Sequence, residues 1–310
     1  MKNIKLMKAL TVFSAALVFQ FFSATGAQAA ACSALTGTNV PTVDGVTGER
    51  SCTVTPTSLV FKIYELSLCT AAVTPTTSAS DKAALCQTLF SSSTGKDVDL
   101  APGSVFSLDA GLSLVEDTYT HGLLKMNVTA SMKTEFQFLS SRAADDAGST
   151  SGAFCFSNGT DITEDPSAGA GQMSCHASAF STAANTGNFK MIGYPNKGAN
   201  FQMNTYLGVP NTIDGVTLYT DLFMLDSDST LSTGDVTYPG ADAVLGTNDR
   251  TFILASQQLA APVIVTPSTT SLDVQFNVTG SSSIIFDPGV GGTDMDANTF
   301  EGLQFLFSAN

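Results

Sequence analysis

The chain has 310 residues, 43% hydrophobic and 13% charged, which is too apolar for intrinsic disorder and enough for one large β domain or two of ordinary size. Its formal charge of −14, from 27 acidic against 13 basic residues, repels nucleic acid and anionic lipid headgroups, so neither is an expected partner. Trp is absent, which counts against a sugar site built on exposed indole platforms.

The first residues place Lys2, Lys5 and Lys8 ahead of an uncharged apolar stretch, Ala9 to Phe22. That is the length of a signal-peptide core and short of the roughly 20 residues a bilayer span needs. Ala27-Gln28-Ala29 then offers small residues to the narrow subsites of a signal peptidase cutting after Ala29. Residues 1–29 are therefore predicted to be a bacterial-type signal peptide. Without those three lysines the mature chain carries 10 basic against 27 acidic residues, a net −17, and its acidic surface reads as solvated. It is expected outside the cytoplasm, at the cell surface, in the periplasm or extracellular, with no transmembrane span. Cys32, behind three alanines, loosely resembles a lipoprotein box, but the large aliphatic residue usual three positions earlier is missing. Acylation there would also leave an odd thiol among six cysteines.

Those cysteines fall as neighbours along the chain, Cys32/Cys52, Cys69/Cys86 and Cys155/Cys175. Six allow fifteen pairings. Neighbour pairing is the expectation, because each pair encloses a polar, turn-rich segment that a bridge would close, at about 3 kcal/mol per loop. No CxxC occurs and no histidine sits at metal spacing beside a cysteine, so zinc and thioredoxin-like readings are poor.

Residues 33–51 read as a polar N-terminal arm, and the first strong strand follows within TVTPTSLVFKIYELSLC. Val60, Lys62 and Tyr64 alternate with Phe61 and Ile63, but the alternation fails near Leu66. A helix is predicted over 78–90, with Ser78 and Asp81 as a capping box. Short strands are expected at 96–100 and 104–110. One long or bent strand is expected over 118–139, where Leu124, Met126, Val128 and Ala130 alternate with polar neighbours. Residues 140–152 are polar and low in complexity, a long loop or boundary. Further strands are predicted at 188–194, 199–208, 215–225, 250–259, 262–266, 271–280, 282–287 and 301–308. Many short strands between Gly, Pro, Asn and Asp turns, with no fixed period, point to an all-β antiparallel β-sandwich with one short helix, as one large or two tandem sandwiches. The division expected is 30–139, an N-terminal β-sandwich region, and 153–310, a C-terminal β-rich region.

Within the first half, FKIYELSL (61–68), DVDL (97–100) and DTYTHGLLKMNVTA (117–130) carry a resemblance to transthyretin-like, prealbumin-type β-sandwich domains of bacterial surface proteins. Asp117 stands where that family usually has glycine. The resemblance implies architecture alone, since fold does not assign function.

Catalytic signals are weak. Of the two histidines, His121 lies in a strand and His176 follows Cys175; no GxSxG exists, and GSTSG (148–152) sits in a low-complexity loop. No catalytic residue is therefore assigned. Two acidic clusters offer oxygen ligands for calcium, the one cofactor the sequence admits: Asp226, Asp228 and Asp235, and Asp287, Asp294, Asp296, Asn298 and Glu301. The second opens like an EF-hand loop, yet Thr299 replaces the turn glycine and Phe305 the closing glutamate. Solvated turns are the default for both. Sequons at Asn127, Asn158 and Asn277 read as chance in a Thr-rich bacterial chain.

The C-terminus ends on an apolar strand, with Leu303, Phe305 and Phe307 expected on one face and Gln304, Leu306 and Ser308 on the other. Such a strand completes its own sheet or, by strand exchange, a neighbour's. The function expected is that of an exported, non-catalytic structural or adhesive surface protein, assembling through this strand into a filament or layer. A periplasmic or surface module binding a small ligand or divalent cation is the alternative.

Overall fold

The computed structural model describes residues 30–32, 50–100, 105–107, 115–143, 151–157, 173–177, 187–190, 205–213, 216–226, 228–229, 231, 251–286, 295–300 and 302–310. Its strands are β1 (Ala30–Ala31), β2 (Arg50–Val54), β3 (Ser58–Cys69), β4 (Cys86–Asp99), β5 (Val105–Ser107), β6 (Asp117–Lys133), β7 (Glu135–Ala143), β8 (Ser151–Ser157) and β9 (Met173–His176). The second half adds β10 (Gly187–Lys190), β11 (Thr205–Ile213), β12 (Val216–Leu225), β13 (Phe252–Val265), β14 (Leu272–Asn277), β15 (Ser282–Phe286), β16 (Met295–Phe300) and β17 (Gln304–Ala309). One helix among the described residues, α1 (Ala79–Leu85), joins β3 to β4. The fold is all-β, and every described pairing but the short parallel β1–β2 is antiparallel. None of the described helices is long and apolar enough to cross a membrane.

The largest sheet runs β11-β12-β13-β6-β3-β4, with β10 alongside the end of β6 that β13 does not reach. Its alternation directs Leu59, Phe61 and Ile63 of β3, Leu124 and Met126 of β6, and Ile253 and Ala255 of β13 to one face. The register of β3 slips between Ile63 and Glu65, which reverses the parity, so Leu66 and Leu68 return to the same face. That bulge is why the alternation fails at the end of this strand in the sequence. Against this face lies the sheet β17-β14-β5, whose Leu272, Val274, Phe276 and Phe305 complete the main core. Each buried Leu or Phe contributes about 1.5–3 kcal/mol. The two layers lie close together at Gly122, where an added Cβ would stand 2.4 Å from Cε2 of Phe305 and 2.7 Å from Cε2 of Phe307. The opposite face of the large sheet buries Leu123, Phe223, Leu225 and Leu254 beside Cys69 and Val73.

Two smaller sheets, β1-β2-β15-β16 and β7-β8-β9, share a compact core of Val54, Phe138, Met173, Ile284, Phe286 and four cysteines. Arg142, also buried, holds its guanidinium 5.3 Å from the Phe138 ring and 5.7 Å from that of Phe286. The chain passes between the sheet systems at Thr134. The Thr134 N–H donates to Ser157 Oγ at 3.1 Å, the Ser157 N–H donates back to the Thr134 carbonyl at 2.9 Å, and the Thr134 hydroxyl lies 3.2 Å from that of Ser282. The one long or bent strand expected over 118–139 is therefore two, β6 and β7, turned at a buried threonine.

The helix is shorter than the 78–90 expected. Ser78 caps it, accepting the Asp81 N–H at 3.1 Å and donating to the Asp81 carboxylate at 2.6 Å, but Leu85 is its last residue. Cys86 sits opposite Cys69 in the β3–β4 ladder, and continuing the helix would pull it out of that register. The polar stretch 140–152 also differs from expectation, since β7 runs to Ala143 and β8 starts at Ser151. Strands from either side of it share sheets: β13 pairs with β6, and β15 with β2.

The six cysteines form Cys32–Cys52, Cys69–Cys86 and Cys155–Cys175, with Cα–Cα distances of 4.8, 4.0 and 4.0 Å. The last two bridge residues directly opposed across a ladder. Cys32 follows β1, whose Ala30 stands beside Cys52. Its sulfur is thus bonded to Cys52, which leaves no thiol there for acylation.

Candidate functional site

The C-terminal strand is paired along its whole length. β17 lies antiparallel to β14 in unbroken register, from Leu272 opposite Ala309 to Asn277 opposite Gln304. At its end Ser271 and Asn310 exchange both backbone bonds, the Asn310 N–H donating at 3.0 Å and the Ser271 N–H at 3.4 Å. Inward-bonding residues alternate along an antiparallel ladder, so residues 310, 308, 306 and 304 bond to β14 and residues 305, 307 and 309 turn their N–H and C=O away from it.

A buried side chain meets the first of these outward pairs. Gln257 of β13 has the same parity as the core residues Ile253 and Ala255 and is fully buried. Its amide donates to the Phe305 carbonyl at 2.7 Å and accepts the Phe305 N–H at 3.3 Å, standing in for a strand neighbour. Gln304, expected on the face opposite Phe305, is buried as well. Its amide nitrogen donates to the carbonyls of Asn211 and Val216 at 2.7 and 2.9 Å, at the turn joining β11 to β12. Asn211 returns a bond from Nδ2 to the Leu303 carbonyl at 2.9 Å. Two buried glutamines and an asparagine thus key β17 to the large sheet, and each would leave buried polar groups unpaired if lost. Leu303 and Phe305 are buried and Phe307 packs at the core margin, so all three strand-exchange candidates lie against their own chain.

The histidines are taken up by local structure. The Thr120 hydroxyl donates its one proton to the Thr70 carbonyl at 2.7 Å, so at 2.9 Å from it Nδ1 of His121 serves as the donor. Partial burial pushes the His121 pKa below its ordinary 6.5, with Asp221 pulling the other way. His176 stacks on Phe156, centroids 5.3 Å apart and planes inclined by 10°. Lys125 meets the Ser229 hydroxyl and lies 4.2 Å over the Phe252 ring; burial lowers its pKa, against the attraction of Glu65. The Glu65 carboxylate itself accepts from Lys82 at 2.7 Å and from the Ser67 hydroxyl at 3.0 Å.

Among the calcium candidates, Asp226 uses Oδ1 to accept the Asp228 N–H at 3.0 Å, and its carbonyl accepts the Ser229 N–H at 3.0 Å, which builds a turn after β12. Asp296 and Asn298 lie on β16, a strand where the sequence suggested an oxygen-rich loop. Asp235, Asp287, Asp294 and Glu301 lie outside the described residues. Among the described residues no group of three or more His, Cys, Asp or Glu side chains converges.

Compared with family models, with curated proteins and with solved structures, the chain matches none, so the transthyretin-like resemblance of residues 61–130 rests on those residues alone.

Proposed function

We propose that this chain is an exported, non-catalytic structural or adhesive protein of the cell surface, used as a subunit of a filament or layer. The observation that carries the reading is the use of all six cysteines as disulfides, none left free. Such bridges persist in oxidising compartments outside the cytoplasm. The signal-like residues 1–29 support the same location independently. Both histidines serve packing and local hydrogen bonds, which favours a structural role over a catalytic one. Immunogold electron microscopy of intact cells, with negative stain of the concentrated protein, tests the reading. Label on the cell exterior and ordered polymers are expected. Reduced protein confined to the cytoplasm, or dispersed monomer with a small molecule bound, would overturn it.

A further inference from the structure

Sheet edges expose unpaired backbone groups, and proteins that remain single blunt them. Most described edges here are blunted. Edge strand β11 is broken by a bulge between Tyr206 and Val209, with Gly208 at φ 61° and Pro210 beyond it. Edge strand β4 slips register twice against β3, turns at Gly95 with φ 73°, and carries Lys96, Asp97 and Asp99. β7 slips register between Gln137 and Arg142, and β16 carries Asp296 beside a slip of its own. β1, β5 and β9 have two, three and four residues. β17 differs from all of these: six residues, Gln-Phe-Leu-Phe-Ser-Ala, with no charge, proline, glycine or slip.

The parity of its hydrogen bonds says which part of this edge is open. Gln257 occupies the outward groups of Phe305, and Phe307 and Ala309 present the remaining outward N–H and C=O; no described strand pairs there. We propose that this edge pairs antiparallel with the same edge of a second copy about a two-fold axis at Ser308. Phe307 of one copy then exchanges both bonds with Ala309 of the other, and the reverse, which joins two three-stranded sheets into one of six. The occupant is a second copy because the segment is self-complementary in that register. In a chain of net charge −14, this uncharged strand also lets two copies approach without opposing carboxylates. The pairing leaves every amide bond made by Gln257 and Gln304 in place. It supplies one contact of the assembly read above, a two-fold one that closes at a dimer and leaves other surfaces to extend it, and it rests on that reading.

The test is disulfide trapping in the purified, disulfide-intact chain. Ser308 would face its own copy as a non-hydrogen-bonded pair, where Cβ atoms come close, whereas Asn310 would face Leu306. Ser308→Cys is expected to give a dimer on mild oxidation, with a 308–308 bridge mapped by mass spectrometry, at least tenfold faster than Asn310→Cys. Sedimentation of the parent chain should show a monomer–dimer equilibrium that shifts to dimer with rising salt, as repulsion between acidic copies is screened. Ala309→Pro removes an outward N–H and none facing β14, and Ser308→Lys sets like charges across the axis; each should weaken the dimer at least tenfold. A parent chain that stays monomeric at all concentrations and salts, or equal trapping at 308 and 310, would overturn the proposal. Dimers of a protein found in the cytoplasm would sink the export reading alone, and a surface-located protein that forms polymers without the 308–308 bridge would sink this pairing alone.

Discussion

The large two-layered core and the small core beneath β2, β8, β9 and β15 are held by different means. In the first, apolar side chains from β3, β6, β12, β13, β14 and β17 pack without a single cysteine among its buried residues. In the second, four of nine described buried residues are half-cystines. The third bridge, Cys69–Cys86, closes the small cluster on the outer face of the large sheet. A small cluster buries too little apolar area to offset the entropy of ordering its strands, and a cross-link lowers that cost in the unfolded chain. Among the described residues, the staples therefore stand in the two smaller clusters, and the buried amides of Gln257 and Gln304 stand beside the largest.

The sharpest break of this contrast is in the main core. Phe276→Ala removes a ring 1% exposed between the two layers and should cost about 3–5 kcal/mol in chemical denaturation, the same with or without reductant. Replacing Cys155 and Cys175 together by Ala should cost about 3 kcal/mol, read in hydrogen exchange as loss of protection in β7, β8 and β9 while β3, β6 and β13 keep theirs. Gln257→Leu keeps the volume but strips the Phe305 N–H and C=O of partners, at about 2 kcal/mol, with faster exchange in β17 first.

How far the sequence foretold these two regions differs for a physical reason. Period-2 runs such as Leu124, Met126 and Ala130 are legible because each residue reports its own face, and all three are buried together. The pairing of the buried glutamines is not legible in the sequence. Gln257 carried a signal, since it continues the inward parity of Ile253 and Ala255, but a polar residue at a core position names no partner. Gln304 bonds residues far back in the chain, at Asn211 and Val216, and nothing local indicates that. β16, with the sequence Met-Asp-Ala-Asn-Thr-Phe, reads as a loop because its strand character comes from pairing with β15 rather than from propensity. The cysteine pairs were legible as neighbours, but which lie directly across a ladder required the register.

The smallest expected effect is one of pH. The folded-state pKa of His121 lies below its ordinary 6.5, so as pH falls through that value the unfolded chain takes up a proton that the folded chain resists. Stability should be unaffected by this residue above about 6.5 and fall as pH drops toward the folded pKa. Thermal melts between pH 7.5 and 5 should show the decline, reduced in His121→Gln.

The contrast between a burial-held core and a disulfide-held one is tested most directly by native-state hydrogen exchange of the intact protein with and without reductant. Reduction should raise exchange by orders of magnitude in β2, β8, β9 and β15 and leave the centre of β3, β6 and β13 protected. Loss of protection in all strands together, or in none, would contradict it.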